Sequence, residues 1–328
     1  MSGTTEDTGH GRTGDTAHTP ALEAPGAGGP AGQESPDRER LMRGKYCVVT
    51  GATSGIGKET ARGLVTAGAH LLFICRDRAR GEATLAELRH ESRGSSVWML
   101  LADLSALRDV RRVAEEVYRF LPRLDVLVNN AGTHDLYPRV SADGFDAMIA
   151  TNHLGPFLLT NLLADLLERG APSRIVMVAS ESHRSVLHID PRTFAEPGSY
   201  GPIGSLSVYA RSKLLNVLVT QEIARRWNTH GITANAFCPG LVSTGLARNI
   251  PMGTRLFSLA ERTPFVRSAR QGAKHALRLA TDPQYADRSG GFYSTTPAAA
   301  LLPPAPHRFR TGLQHAVWER SEELVGLA

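Results

Sequence analysis

Thr50-Gly51-Ala52-Thr53-Ser54-Gly55-Ile56-Gly57 leaves a short apolar run, Tyr46–Thr50, and opens an amphipathic stretch, Gly57–Ala67. A strand that breaks into glycines and re-enters as a helix is suited to holding a phosphate. Glycines let the chain turn tightly and bring its backbone close to a pyrophosphate, while the helix N-terminus supplies free N–H groups and positive potential. Gly51, Thr53, Ser54, Gly55, Ile56 and Gly57 are the candidate contacts. The spacing is Gly-x-x-x-Gly-x-Gly, not Gly-x-Gly-x-x-Gly, so on its own the loop also admits a ligand-free turn.

Outward from this loop, short apolar runs alternate with longer amphipathic stretches. Tyr46–Thr50, His70–Cys75, Val97–Leu101, Val126–Asn129, Ile175–Ala179, Thr233–Cys238 and a final Gly291–Ser294 read as strands. Gly57–Ala67, Arg80–His90, Leu107–Phe120, Asp143–Leu167 and Tyr209–Arg226 read as helices. This alternation predicts right-handed crossovers and a parallel sheet covered on both faces: a single doubly wound α/β domain over 41–328. Residues 1–40 are rich in Gly, Thr, Pro and acidic groups, with almost nothing to bury, and are expected to be a disordered polar tail.

Composition narrows the function. The 328 residues carry 37 Lys and Arg against 32 Asp and Glu, a net charge of +5. The Arg residues near Arg108–Arg119 are interleaved with Glu115 and Glu116, as on a solvated helix face, so no nucleic-acid partner is expected. Mean hydropathy is −0.19, and no apolar run is long enough to span a bilayer or serve as a secretory signal, so a cytoplasmic chain with no membrane partner is expected. The three cysteines, Cys47, Cys75 and Cys238, are far apart and form no disulfide framework.

The end of the second strand bears on which dinucleotide fits. It runs Cys75-Arg76-Asp77; an NAD site wants a carboxylate there for the ribose 2′-OH, and an NADP site wants a cation. Arg76 suits a 2′-phosphate as a permanently charged planar fork, although Asp77 is available either to neutralise it or to serve a ribose. NADP(H) is the expectation. Further along, Ser180 ends an apolar strand at the carboxyl edge, where open α/β sheets bind ligands. Tyr209 and Lys213 are four residues apart and share a helix face. A nearby ammonium should lower the tyrosine pKa and let it exchange a proton with an alkoxide. Ser180 would hold the substrate oxygen, and Asn152 is placed to anchor a water linking Lys213 to solvent.

Thr50–Gly57, Asp103-Leu104, Asn129-Asn130-Ala131-Gly132, Asn152, Ser180, Tyr209-x-x-x-Lys213 and Pro239-Gly240 together resemble the short-chain dehydrogenase/reductase family. Within it, Thr50–Ala61, Cys75-Arg76-Asp77 and Asn152–Thr160 resemble the retinol dehydrogenase and WW-domain oxidoreductase branch. The resemblance implies a Rossmann-type domain from about Lys45 to the C-terminus. It implies catalytic roles for Asn152, Ser180, Tyr209 and Lys213. Asp103 and Leu104 would sit at the adenine, Asn130 on the ribose side, Tyr209 and Lys213 at the nicotinamide ribose, and Leu241–Thr244, with Val242 and Thr244, at the carboxamide. It also assigns Arg76 to the 2′-phosphate.

Two departures stand out. Branch members that work on membranes often begin with a hydrophobic anchor, where this chain has a polar tail. Ser180 and Tyr209 are 29 positions apart, longer than the family's usual spacing, so 181–207 is expected to form a substrate loop. Residues 245–270, with apolar side chains and two prolines, are expected to form a lid. His183 and His188 read as loop residues, and no metal is expected. The expected function is interconversion of a ketone or aldehyde with an alcohol on a small apolar molecule. The Arg- and Ala-rich composition suggests a ketoreductase of bacterial secondary metabolism, with a retinol- or steroid-type alcohol dehydrogenase, or a catalytically silent nucleotide-sensing scaffold, as the alternatives. Whether the chain forms a homo-oligomer is left open.

Overall fold

Strand β1 (Tyr46–Thr50) lies inside the sheet, with Cys47, Val48, Val49 and Thr50 all fully buried. The computed structural model describes residues 41–92, 94–242, 266–294, 296, 299 and 305–328. The tail 1–40, Thr244 and residues 245–265 of the expected lid lie outside them.

β1 is followed by helix α1 (Gly55–Thr66), β2 (His70–Cys75), α2 (Arg78–Glu91), β3 (Val97–Leu101), α3 (Leu107–Phe120) and β4 (Val126–Asn129). Beyond a short α4 (Ala147–Ile149) come α5 (Gly155–Leu162), α6 (Ala164–Arg169), β5 (Ser173–Val178), α7 (Pro202–Arg226) and β6 (Ile232–Cys238). The chain continues through β7 (Leu241–Val242), β8 (Val266–Arg267), α8 (Ala269–Thr281), β9 (Phe292–Ser294) and α9 (Thr311–Val325). Seven strands pair in parallel in the order β3-β2-β1-β4-β5-β6-β9. Order reverses direction between β1 and β4, and this switch point opens a crevice at the carboxyl ends of both strands.

Strands buried on both faces must be apolar on both, which is why these runs do not alternate. On one face the core is built from Val110, Val113 and Val117 of α3, Phe157 of α5, Leu214, Leu215 and Leu218 of α7, and Trp318 of α9. On the other it takes Ile56 and Leu64 of α1, Leu88 of α2, and Ala273, Ala276 and Leu279 of α8.

The expected helix Asp143–Leu167 is interrupted. Asp146 stops it from starting at 143, because its Oδ1 accepts from Met148 N (2.9 Å) and Ile149 N (3.1 Å) as an N-cap. Residues Ala150–Leu154 then form a π-turn, in which Gly155 N donates to Ala150 O. Pro156 explains the widening: it has no N–H with which to reach the carbonyl of Asn152, four residues back. α7, by contrast, begins two turns before Tyr209, where Pro202 sits pre-shaped for the first turn.

The insertion between Ser180 and Tyr209 is packed down. Glu181–Ser185 form a short 3₁₀ helix, and Ile189, Phe194 and Ala195 enter the core. Asp146 N donates to Ala195 O (2.9 Å), and Tyr200 OH donates to Asp146 Oδ2 (3.0 Å). Only part of 181–207 is therefore loop.

Candidate active site

At the switch point, the carbonyl end of β1 enters the glycine loop. Gly51 has φ +70°, and a Cβ at Gly57 would lie 2.3 Å from Asn130 Nδ2 and 2.4 Å from Gly51 O. No other residue fits that turn without moving backbone. Asn130 donates from Nδ2 to Thr50 O (2.9 Å) and Gly51 O (3.1 Å), while Thr50 Oγ1 accepts from Asn130 N and Ala131 N. The Asn130 amide, expected on the ribose side, thus clamps the loop to the end of β4. Ser54, the residue before α1, makes no side-chain cap, so the helix N-terminus keeps its N–H groups for an anion.

Arg76 leaves β2 exposed and forms no ion pair among the described residues. Asp77 forms no ion pair with it; its Oδ1 accepts from Arg80 N (3.0 Å) as the N-cap of α2. The strand end therefore offers an unpaired cation, with the neighbouring carboxylate engaged at one oxygen in capping α2, which fits NADP. Asp103 uses Oδ1 to accept from Ser105 N (3.0 Å) and Ser105 Oγ (2.8 Å), and Leu104 is buried beside it. Val242 pairs with Arg267 in the two-residue ribbon of β7 and β8.

The catalytic candidates converge on the carboxyl edge of β5. Asn152, in the π-turn, accepts at Oδ1 from Thr133 N (2.7 Å) and donates from Nδ2 to Thr133 O (2.9 Å) and Ser212 Oγ (3.0 Å). Ser212 lies on α7 between Tyr209 and Lys213 and donates to Tyr209 O (2.7 Å). Lys213 Nζ donates to Val178 O (3.2 Å), two residues before Ser180, and sits 5.5 Å from the centre of the Tyr209 ring. A Cβ at Gly132 would touch both Asn152 Oδ1 and Lys213 Nζ, so the two flank one spot. Ser180 borders Tyr209 closely enough for its hydroxyl to act on the phenol.

Electrostatics here depart from the sequence expectation in one respect. Lys213 does not bring the Tyr209 pKa below its ordinary value. Burial drives the phenol well above its ordinary value, Cys238 adds to the rise, and the Ser180 hydroxyl opposes it. Lys213 Nζ lies over the ring and gives its hydrogen bond to a carbonyl, and desolvation of the phenol is the larger effect. The same burial lowers Lys213 from 10.5 to about 8. Cys238 is a buried strand residue whose thiol burial pushes up. Of the two loop histidines, His183 is buried with its ring edge on Phe292 (4.6 Å) and His188 is exposed.

The sequence reading missed His134, whose ring lies 5.2 Å from that of Tyr209. Its signal was positional: it follows Asn129–Gly132 off β4, at the switch point. Ser212 was missed because it sits inside the Tyr-x-x-x-Lys spacing.

A doubly wound sheet with its glycine loop at the switch point and a Tyr–Lys helix over the carboxyl edge is the architecture of a dinucleotide-dependent oxidoreductase. Residues 45–187 match the family model described as short chain dehydrogenase. Human retinol dehydrogenase 14 is 38% identical over 303 residues, covering 88% of this chain and 88% of that protein. The Danio rerio WW domain-containing oxidoreductase is 38% identical over 286 residues, covering 86% of this chain and 68% of that protein. Among solved structures, an uncharacterised protein of Mycobacterium paratuberculosis superposes with a TM-score of 0.66 at 28% identity, covering 87% of this chain and 94% of that one. A short chain dehydrogenase of Burkholderia cenocepacia in complex with NADP gives 0.63 at 26% identity, covering 78% of this chain and 97% of that one. The chain belongs to the short-chain dehydrogenase/reductase family of oxidoreductases, on the branch of the retinol dehydrogenases and WW domain-containing oxidoreductases. Among the described residues no helix is long and apolar enough to cross a membrane.

Proposed function

We propose that this protein is an NADP(H)-dependent oxidoreductase that interconverts a ketone or aldehyde with an alcohol on an apolar small molecule. The observation that carries the reading is the convergence of Asn152, Ser180, Tyr209 and Lys213 at the carboxyl edge of β5, beside the uncapped start of α1. The exposed, unpaired Arg76 supports NADP over NAD, as does the NADP complex of the Burkholderia relative. Thr53, Ser54, Gly55, Ile56 and Gly57 would hold the pyrophosphate, Arg76 the 2′-phosphate, and Lys213 the nicotinamide ribose. When bound, NADPH supplies the hydride that a carbonyl carbon accepts.

The chain's own residues manage the proton. Ser180 donates a hydrogen bond to the substrate oxygen and holds it against Tyr209. In reduction Tyr209 gives its phenolic proton to that oxygen, and in oxidation it takes the proton back. A phenol kept protonated by burial is a ready donor, and the ammonium of Lys213 behind the ring compensates the negative charge that forms on it. Asn152 fixes Ser212, and through it the α7 turn that carries Tyr209 and Lys213.

Apolar substrates are supported by the relatives named retinol dehydrogenase. The finer reading, a ketoreductase of bacterial secondary metabolism, rests on composition alone, and no residue of the site carries it. NADPH absorbance, followed across a panel of carbonyls, tests the mechanism. Tyr209→Phe should lose about 10²-fold or more of the turnover; equal turnover by the two proteins would refute the role of Tyr209.

A further inference from the structure

Beside Tyr209, on the loop leaving β4, stands a histidine whose protonation state the surrounding hydrogen bonds dictate. Ser205, fully buried one turn before Tyr209 on α7, lies 2.6 Å from Pro202 O. A carbonyl cannot donate, so the single hydroxyl proton of Ser205 is spent there. His134 Nε2 lies 3.0 Å from the same Ser205 Oγ. The oxygen has only a lone pair left for it, so Nε2 must carry the hydrogen.

Burial lowers the pKa of His134, so the ring is neutral and Nδ1 is left as a bare acceptor. Nδ1 has no partner among the described residues and is not sealed from solvent. The imidazole packs against the Tyr209 ring at 5.2 Å with the planes inclined by 44°. An acceptor is thus fixed beside the group that meets the reacting oxygen.

We propose that His134 is a substrate-recognition residue whose Nδ1 accepts a hydrogen bond from a second hydroxyl or N–H near the reacting carbon. The substrate class is then a hydroxy- or amino-substituted carbonyl and its alcohol. Ethers and carboxylates, which bring only lone pairs, are disfavoured at this position, and a purely hydrocarbon aldehyde leaves Nδ1 unused. The inference rests on Tyr209 acting at the reacting oxygen, and its test separates the two.

Acetophenone and α-hydroxyacetophenone form a pair that differs by one hydroxyl beside the reacting carbon. Wild type should favour the hydroxy compound about three- to tenfold in kcat/KM. His134→Phe, which keeps a ring against Tyr209 and lacks the acceptor, should bring that ratio close to one. A ratio unchanged in His134→Phe overturns the proposal. Nitrogen-15 NMR of histidine-labelled wild type reads the same site without turnover. It should show the Nε2–H tautomer at His134, and α-hydroxyacetophenone should shift the Nδ1 resonance while acetophenone does not. An Nδ1–H tautomer, or no shift with the hydroxy compound, overturns the proposal. Absence of turnover of either ketone, with the expected spectra intact, counts against the reading of Tyr209 and not against His134.

Discussion

Lys213 is a buried cation whose hydrogen bond goes to the Val178 carbonyl rather than to a carboxylate. Burial lowers its pKa from 10.5 to about 8, so folding disfavours the ammonium. Its contribution to stability is full above 10.5 and is lost as the pH falls through about 8. Activity has the opposite sign, because reduction consumes a proton and uses the charged form. Reduction is expected to decline as the pH rises through about 8. Lys213→Arg, permanently charged, should abolish that limb in its residual activity; a kcat/KM profile with the same limb in both proteins would contradict this. Arg76 and Asp77 separate in the same way. Arg76→Ala should weaken NADPH about 10- to 100-fold while sparing NADH, as read by cofactor fluorescence titration. An equal loss for both cofactors would remove the 2′-phosphate role. Asp77→Ala should instead cost about 1 kcal/mol of stability through the lost α2 cap and leave cofactor preference alone.

Among the elements, the π-turn and α5 hold Asn152 in place, and they are fixed by close packing against the loop after β3. A Cβ at Gly155 would lie 2.2 Å from Leu104 O, a backbone atom with nowhere to move. Gly155→Ala is expected to destabilise the protein by about 1–3 kcal/mol and to disturb Asn152, lowering kcat more than cofactor affinity. Thermal melts and NADPH titration check both parts. A variant as stable and active as wild type would show that the contact relaxes freely. Boundaries of elements were legible where a side chain announced them. β1, β2, β3, β4 and α3 begin and end where the apolar runs and amphipathic stretch predicted. The break inside Asp143–Leu167 was not, because Asp146 capping and the missing N–H of Pro156 act against a stretch that is otherwise mostly apolar. α8 and α9 were not read from the sequence either.

At the scale of the whole molecule, α9 closes one face of the sheet. Trp318 is fully buried, edge-on to Phe157 at 4.9 Å, with the Arg226 guanidinium 4.8 Å from its ring. Trp318→Ala should cost about 3–5 kcal/mol, measured by denaturant unfolding; a small loss would mean that α9 is not integral to the fold. The same contact surface contains His153, whose Nε2 lies 2.9 Å from Ser321 Oγ on α9. Burial lowers its pKa from 6.5 to about 3. The unfolded chain therefore takes up a proton that the folded one refuses: stability is full above 6.5 and falls toward about 3 as the pH drops. His153→Leu should flatten the acid limb of the stability curve, and an unchanged slope would assign acid sensitivity elsewhere.

The sequence by itself determined the parallel α/β architecture, the position of the glycine loop, and the residue types at the candidate site: Asn152, Ser180, Tyr209 and Lys213. These are local facts, written in apolar periodicity, in glycines at a strand–helix junction and in i, i+4 spacing along one helix. Only the tertiary structure decided what each polar group does with its hydrogen bonds and protons. It turned Asp77 into a helix cap and freed Arg76 of it, committed the Asn130 amide to the glycine loop, and seated His134 beside Tyr209. It also reversed the expected effect on Tyr209, because the pKa of a side chain depends on burial and on the exact line from charge to charge, and neither is a property of neighbours in the chain.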